Sequence, residues 1–231
     1  MGAATPRAWA STSASTGAEE QRRRVVVCGG GGHGKTLIEL IRAAATHDVA
    51  GVVDDGLAAG TAVLGAPVLG ASDVLDRLAA QGVADDGANG VGGIGDLGAR
   101  IRVSRRIAEA GLASPALVHP AATVEASAEV GPGAQVLCGA YVGSAARIGP
   151  WVVVNTGAVV SHDCVLGDHA GISPGALLAG GVTLGDRVLV GMGATVNIGV
   201  AVGPDARIGN GATVKADVPA GTVVRAGRVW P

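Results

Sequence analysis

From Val118 to Val214, every sixth residue is aliphatic. Seventeen consecutive positions run from Val118 through Val136, Val154, Ile172 and Val190 to Ile208 and Val214 without a slip. Four residues after each comes a second small or apolar series, mostly alanine, as at Ala134, Ala140, Ala146, Ala158, Ala176 and Ala194. A six-residue unit cannot bury its own apolar side chain. The period therefore predicts a solenoid of short parallel strands, each repeat closing the core of its neighbour. Three hexapeptides make one triangular coil, so residue i lies over residue i+18 and the aliphatic side chains stack inside the prism. Only a small residue fits the second inward position, which accounts for the alanines. A sandwich merely rich in valine, alanine and glycine does not require seventeen in-register hits.

Upstream the period disappears. Residues 1–24 are rich in Ala, Ser, Thr and Gly and end in Arg22-Arg23-Arg24, a composition that predicts a disordered tail. Val25-Val26-Val27-Cys28 is a continuous apolar run. The glycine run Gly29 to Gly32 follows, then His33-Gly34-Lys35 and the helical pattern Thr36 to Ile41. Strand, glycine loop and helix in that order open a Rossmann-like α/β unit. Val49 to Val53 reads as a second strand ending in Asp54-Asp55. Ser72 reads as the cap of a helix over 73–80, and 85–93 as a glycine-rich loop. Ile94-Gly95-Asp96 reads as a short strand whose Asp96 caps a helix over 97–110. The expected organisation is a tail at 1–24, a Rossmann-like domain at 25–117, the hexapeptide coils at 118–220 and a C-terminal tail at 221–231.

Composition sharpens this. Apolar residues make up 48% of the chain but aromatics only 2%, which suits narrow coils and not a bulky globule. A net charge of −2 gives no electrostatic reason to expect nucleic acid or an anionic membrane as partner. Cys28, Cys138 and Cys164 occur singly, without metal-ligand spacing, and read as small buried residues of a reducing compartment. No apolar run reaches spanning length and no apolar stretch follows the N-terminus, so a cytoplasmic location is expected.

The glycine loop fits several templates. Its amides at a helix N-terminus suit a phosphate. Gly29, Gly31 and Gly34, with Asp54 downstream, fit a dinucleotide fingerprint. Gly29, Gly34, Lys35 and Thr36 fit a P-loop. A purely structural turn fits as well, and four consecutive glycines satisfy many patterns.

The run Val27 to Lys35, the pair Asp54-Asp55, Ile94-Gly95-Asp96 and the coil segment Asn155 to Cys164 resemble one family, over about residues 25–220. It is the hexapeptide-repeat sugar acetyltransferases, which include the sialic acid O-acetyltransferases and the bacillosamine-pathway N-acetyltransferases. The resemblance implies a left-handed parallel β-helix and a homotrimer. It implies acetyl-CoA as co-substrate, with no metal. Gly30, Gly31, Gly32, His33, Asp54 and Asp55 match positions that hold the nucleotide of a UDP-sugar. His162 matches the general base, and Asp163 the acidic neighbour that orients it. Base catalysis at neutral pH suits an imidazole.

Family members often carry a second histidine nine residues after the first. Gly171 stands there in this chain, with His169 two places earlier as a substitute able to approach the same groove. Gly180, Met192 and Asn210 match positions along the acetyl-CoA groove, where glycine lets the pantetheine arm pass close to the backbone. The expected function is N-acetylation of a nucleotide-linked amino sugar. Sugar O-acetylation of the sialic acid type is the near alternative. A nucleotide-sugar-binding scaffold, or a zinc hydratase needing three converging histidines, are the others.

Overall fold

The computed structural model describes residues 22–93 and 97–231. Residues 1–21 of the tail expected at 1–24, and the short strand and Asp96 cap at 94–96, lie outside the described residues. Strands β1 (Arg23–Cys28), β2 (His47–Val53), β3 (Ala62–Val63), β4 (Ala66–Gly70) and β5 (Asp86–Asn89) form one sheet in the order β3-β4-β2-β1-β5. All its pairings are parallel except β3 with β4. Strand β1 is apolar throughout its C-terminal half because both of its faces are covered. Val25 and Val27 cluster with Leu37 and Ile41 of helix α1 (Gly32–Ala44). Val26 and Cys28 cluster with Leu78 of helix α2 (Leu75–Ala80) and Ile107 of helix α3 (Leu97–Glu109).

Three local expectations are corrected. The first strand starts inside the expected tail, at Arg23, whose guanidinium grips buried Asp86 through two 2.7 Å hydrogen bonds. The supposed loop at 85–93 contains β5, which is wholly buried. Asp, Gly and Asn are poor strand formers, and tertiary contacts override them. Arg23 balances the Asp86 charge, and Gly87 leaves room for Ile107, whose Cγ2 lies 2.5 Å from where a Cβ would stand. Ser72 does not cap through its side chain. It opens a 3-10 turn (Ser72–Val74), and its backbone N–H donates to Asp55 Oδ1 at 2.7 Å.

From Leu117 the chain winds into a parallel β-helix of two-residue strands. Each strand pairs with the one eighteen residues on, as Val153 with Gly171, Val160 with Leu178 and Leu166 with Leu184. The aliphatic and small series together fill one continuous buried core. Cys164 takes an alanine position in it and is buried, as is Cys28, whose thiol is pushed up to about 12 by burial. Cys138 is exposed, contrary to expectation, because residue 138 falls on an outward corner.

The coils do not end at 220. Val223–Val224 pairs with Arg207–Ile208, and Val229–Trp230 with Thr213–Val214. The step shortens there from eighteen residues to sixteen, so the expected C-terminal tail is the closing coil. Trp230 packs against the last of the core.

From Gly133 to Gly211, each corner of the prism turns through one residue of positive φ, the conformation that favours glycine. Glycine supplies it at Gly157, Gly175 and Gly193 along one edge, and at Gly181 and Gly199 on another. Elsewhere a side chain is kept: Trp151, His169, Arg187 and Asp205 on one edge, and Ala145 and Asp163 on a second. A left-handed residue with a Cβ costs roughly 1 kcal/mol. These corners therefore hold side chains where glycine would be easier.

Candidate active site

His162 and Asp163 form one such corner. Asp163 has φ 59°, a conformation aspartate tolerates better than most residues. The turn points both side chains outward, and His162 Nδ1 and Asp163 Oδ2 are 2.7 Å apart. The imidazole is 63% exposed, so it is open to a reactant or a second molecule. Beneath it lies Gly180 of the next coil. A Cβ there would stand 2.5 Å from both Cε1 and Nε2 of His162, so the ring rests directly on the glycine backbone. Gly180 thus makes the seat of the imidazole.

A cavity of about 320 Å³ lies between the N-terminal domain and the β-helix face that carries Val153, Gly171 and Leu189. Buried polar bonds lock the two parts together above it. Gln135 Nε2 donates to the Asn89 carbonyl at 2.9 Å, which leaves its Oε1 to accept from His33 Nε2 at 2.7 Å. Asn89 Nδ2 donates to the Arg100 carbonyl and to Ser104 Oγ. Arg100, 1% exposed, donates to the carbonyls of Val91 and, across the junction, Trp151. Burial pulls the Arg100 guanidinium down to about 10, which leaves it cationic. His33 therefore faces the β-helix and this cavity.

His169 lines the same cavity. Its ring stacks on Trp151 with centroids 6.3 Å apart, and Nδ1 is buried without a hydrogen-bond partner among the described residues. Burial, then the nearby charges of Arg100 and Arg187, pull His169 down to about 4, with Asp186 opposing. His33 is lowered too, mainly by burial. Both imidazoles are neutral at pH 7. The native state then binds fewer protons than the unfolded chain once pH drops below the ordinary histidine value of 6.5. Stability is expected to fall between about pH 6.5 and 4, and less steeply in His169→Gln. Melting temperature measured across that range checks this, and parallel curves for the two proteins would remove His169 from the account.

His162 and His169 occupy different edges of the prism, so one chain does not bring them together. Two further cavities bear on the site. One of about 230 Å³ continues down the face of the upper cavity. The two share Ser173 and Leu189, and the lower one is bordered by Met192, Asn210, Arg207 and Arg225. Asn210 Oδ1 accepts from the Met192 N–H at 3.0 Å, so that side chain already holds the coil backbone. The other, about 500 Å³, opens at the C-terminal ends of β1 and β2 and is lined by Gly29, Asp54, Asp55, Ser72 and Arg106. It lies where the chain leaves β1 for β2 on one side and β5 on the other, the usual ligand crevice of a parallel sheet.

The acidic pair divides its tasks. Asp54 spends both oxygens on its own loops, accepting from the Gly30 N–H at 2.7 Å and the Gly56 N–H at 2.8 Å. Among the described residues, Asp55 accepts from Ser72 through Oδ1 alone, with Oδ2 left over. Gly31 and Gly32 are open, with none of the described residues within 4 Å of an added Cβ.

Known proteins share this domain order and fold. The model of the PglD N-terminal domain matches residues 24–107. The acetyltransferase domain of PglB from Neisseria gonorrhoeae FA1090, solved with acetyl coenzyme A, is 35% identical. The match covers 90% of this chain and 98% of that one, with a TM-score of 0.81. The chain belongs to the hexapeptide-repeat sugar acetyltransferases. A histidine-to-asparagine variant of perosamine N-acetyltransferase from Caulobacter crescentus, with CoA and GDP-perosamine, is 35% identical. There the match covers 88% of this chain and 93% of that one, with a TM-score of 0.82. WeeI from Acinetobacter baumannii AYE is 27% identical over 86% and 94% of the two chains, with a TM-score of 0.75. No curated protein sequence matches significantly.

The coil is thus the left-handed β-helix of these acetyltransferases, and the chain is an acyltransferase. Among its described residues no helix is long and apolar enough to cross a membrane. Sequence reasoning missed Arg100 and Gln135, which fix the upper cavity. Gln135 carried a signal, being a polar residue set between Leu117 and Val153 on its outward ladder. Arg100 carried none, because an arginine in a helix reads as solvated.

Proposed function

We propose that this acyltransferase moves the acetyl group of acetyl-CoA to the amine of a nucleotide-linked amino sugar, with His162 as general base. The observation carrying this reading is the His162–Asp163 pair, held outward at a corner that retains a side chain in a strained conformation. The relatives' complexes with acetyl coenzyme A, and with CoA and GDP-perosamine, supply the substrate class. The neutral amine attacks the thioester carbonyl, a C–N bond forms, and His162 takes the amine proton while Asp163 stabilises the imidazolium. The C–S bond then breaks, and the CoA thiolate recovers the proton from His162. The Gly180 N–H, beside the imidazole, has no acceptor among the described residues and is available to the developing oxyanion.

The nucleotide occupies the 500 Å³ cavity at Asp55, and the CoA ester the groove through Gly171, Met192 and Asn210. His162 stands on another edge from that groove. A second copy of the chain must therefore bring its own His162 to it, as a homotrimer does. The enzyme works in the cytoplasm, where acetyl-CoA is supplied, and takes no metal.

The test is CoA release with acetyl-CoA and a panel of UDP- and GDP-linked amino sugars, set beside their hydroxyl counterparts. Turnover only with hydroxyl sugars would replace this reading by O-acetylation. Two variants probe the roles. Asp55→Asn is expected to weaken nucleotide-sugar binding by at least about tenfold, the loss of one hydrogen bond to a charged group, with acetyl-CoA binding unchanged. Calorimetric titration measures both, and equal loss for the two ligands would mean that Asp55 only supports the fold. Gly180→Ala is expected to lower turnover by about tenfold or more, because its Cβ displaces the His162 ring. NMR contacts of the His162 ring should show it displaced from Asp163, and an unmoved ring would refute the seat.

A further inference from the structure

The upper cavity exists because one rung of a ladder is missing. On its face the outward residues of successive coils are Gln135, Val153, Gly171, Leu189 and Arg207, paired rung to rung. Glycine is the one rung among these five without a side chain. Its φ is not positive, so the backbone does not demand glycine there. An added Cβ would meet only the tip of Leu189, with Cδ1 at 3.2 Å. The glycine is therefore unexplained by the coil itself, and what it leaves is space beside Val153 and Leu189.

That space lies at the upper end of the groove. The lower end carries Arg207 and Arg225, two cations suited to phosphates. From the strand Val223–Val224 up to Gly171 there are three coil steps. At about 4.8 Å per step this is roughly 14 Å. A thioester anchored by phosphates at Arg225 and lying extended along the face would deliver its acyl end close to Gly171. The walls met there, Val153 and Leu189, suit methylene groups better than sugar hydroxyls.

We propose that Gly171 is the residue that sets acyl length in this enzyme, and that its acyl donors include CoA thioesters longer than acetyl, such as propionyl- and butyryl-CoA. The proposal rests on the placement of the CoA ester in this groove. The transfer itself is unchanged: the acyl carbon bonds to nitrogen as the C–S bond breaks, with the proton passing through His162 to the thiolate.

The experiment is calorimetric titration of the full chain with acetyl-CoA and butyryl-CoA, for the wild type and for Gly171→Val, with no sugar present. In the wild type, butyryl-CoA is expected to bind roughly tenfold more tightly, from burial of two extra methylenes. In Gly171→Val that ratio is expected to fall to one or below. Reading a ratio cancels any general loss of affinity, and a thermal melt verifies folding. Weaker binding of butyryl-CoA by the wild type, or a ratio unmoved by the valine, overturns the proposal while leaving acetyl transfer standing. A separate titration with a nucleotide sugar completes the test: if the valine weakens that binding but not the ratio, the space serves the acceptor and the proposal is wrong. Binding of neither ester would overturn both the proposal and the groove assignment. Acetyl-CoA bound without transfer to any amino sugar would overturn only the proposed substrate.

Discussion

His162→Ala is expected to reduce acetyl-transfer turnover by at least about 100-fold, the lower end of what a positioned general base contributes. The side chain is exposed, and its one hydrogen bond among the described residues is to its neighbour Asp163. Its removal therefore takes away little packing, and the melting temperature should stay within about 2 °C of the wild type, as for an ordinary surface change. The combination is diagnostic: a large kinetic loss without a stability loss places the residue at the reacting atoms. Acetyl-CoA affinity should hardly change, because a base acts in the transition state and not in ground-state binding. Turnover in the variant close to that of the wild type would end the assignment of His162 as base.

The second large effect concerns folding. Gly34→Ala is expected to destabilise the N-terminal domain by at least about 3 kcal/mol, beyond ordinary overpacking. A Cβ at residue 34 would stand 1.9 Å from the Gly29 carbonyl oxygen and 2.9 Å from its carbon. Both contacts are backbone, so no rotamer change relieves them, and the turn from β1 into α1 must open. Gly31→Ala and Gly32→Ala are the controls. Neither Cβ meets any atom within 4 Å and neither glycine has a positive φ, so each should shift stability by less than about 1 kcal/mol. Urea unfolding of the three variants measures this. A Gly34→Ala protein as stable as the controls would show that the loop relaxes freely.

These two predictions differ in how far the chain's letters anticipated them. The pair His162-Asp163 could be singled out from the repeat, because a residue two places past an inward valine must point out. The glycine run announced a turn, but not which glycines were sterically required. The residues that matter most by contact, Gly29, Gly30 and Gly34, interleave with two that face open space. Asp54 and Asp55 looked equivalent in sequence. Backbone amides from two loops take both oxygens of Asp54 and only one of Asp55.

The sequence alone determined the prism, its six-residue step, its core and the outward placement of His162. All of these follow from a local period that repeats seventeen times, so each unit confirms the next. Tertiary structure decided what depends on residues far apart in the chain. It made a buried strand of Asp86–Asn89 by giving Asp86 the Arg23 guanidinium. It turned His33 onto Gln135, 102 residues away. It closed the last coil with a sixteen-residue step, and put His162 and His169 on separate edges. A hydrophobic period is written in neighbouring residues and can be read from them. Charge pairing, glycine contacts and the walls of a cavity exist only once distant segments have met.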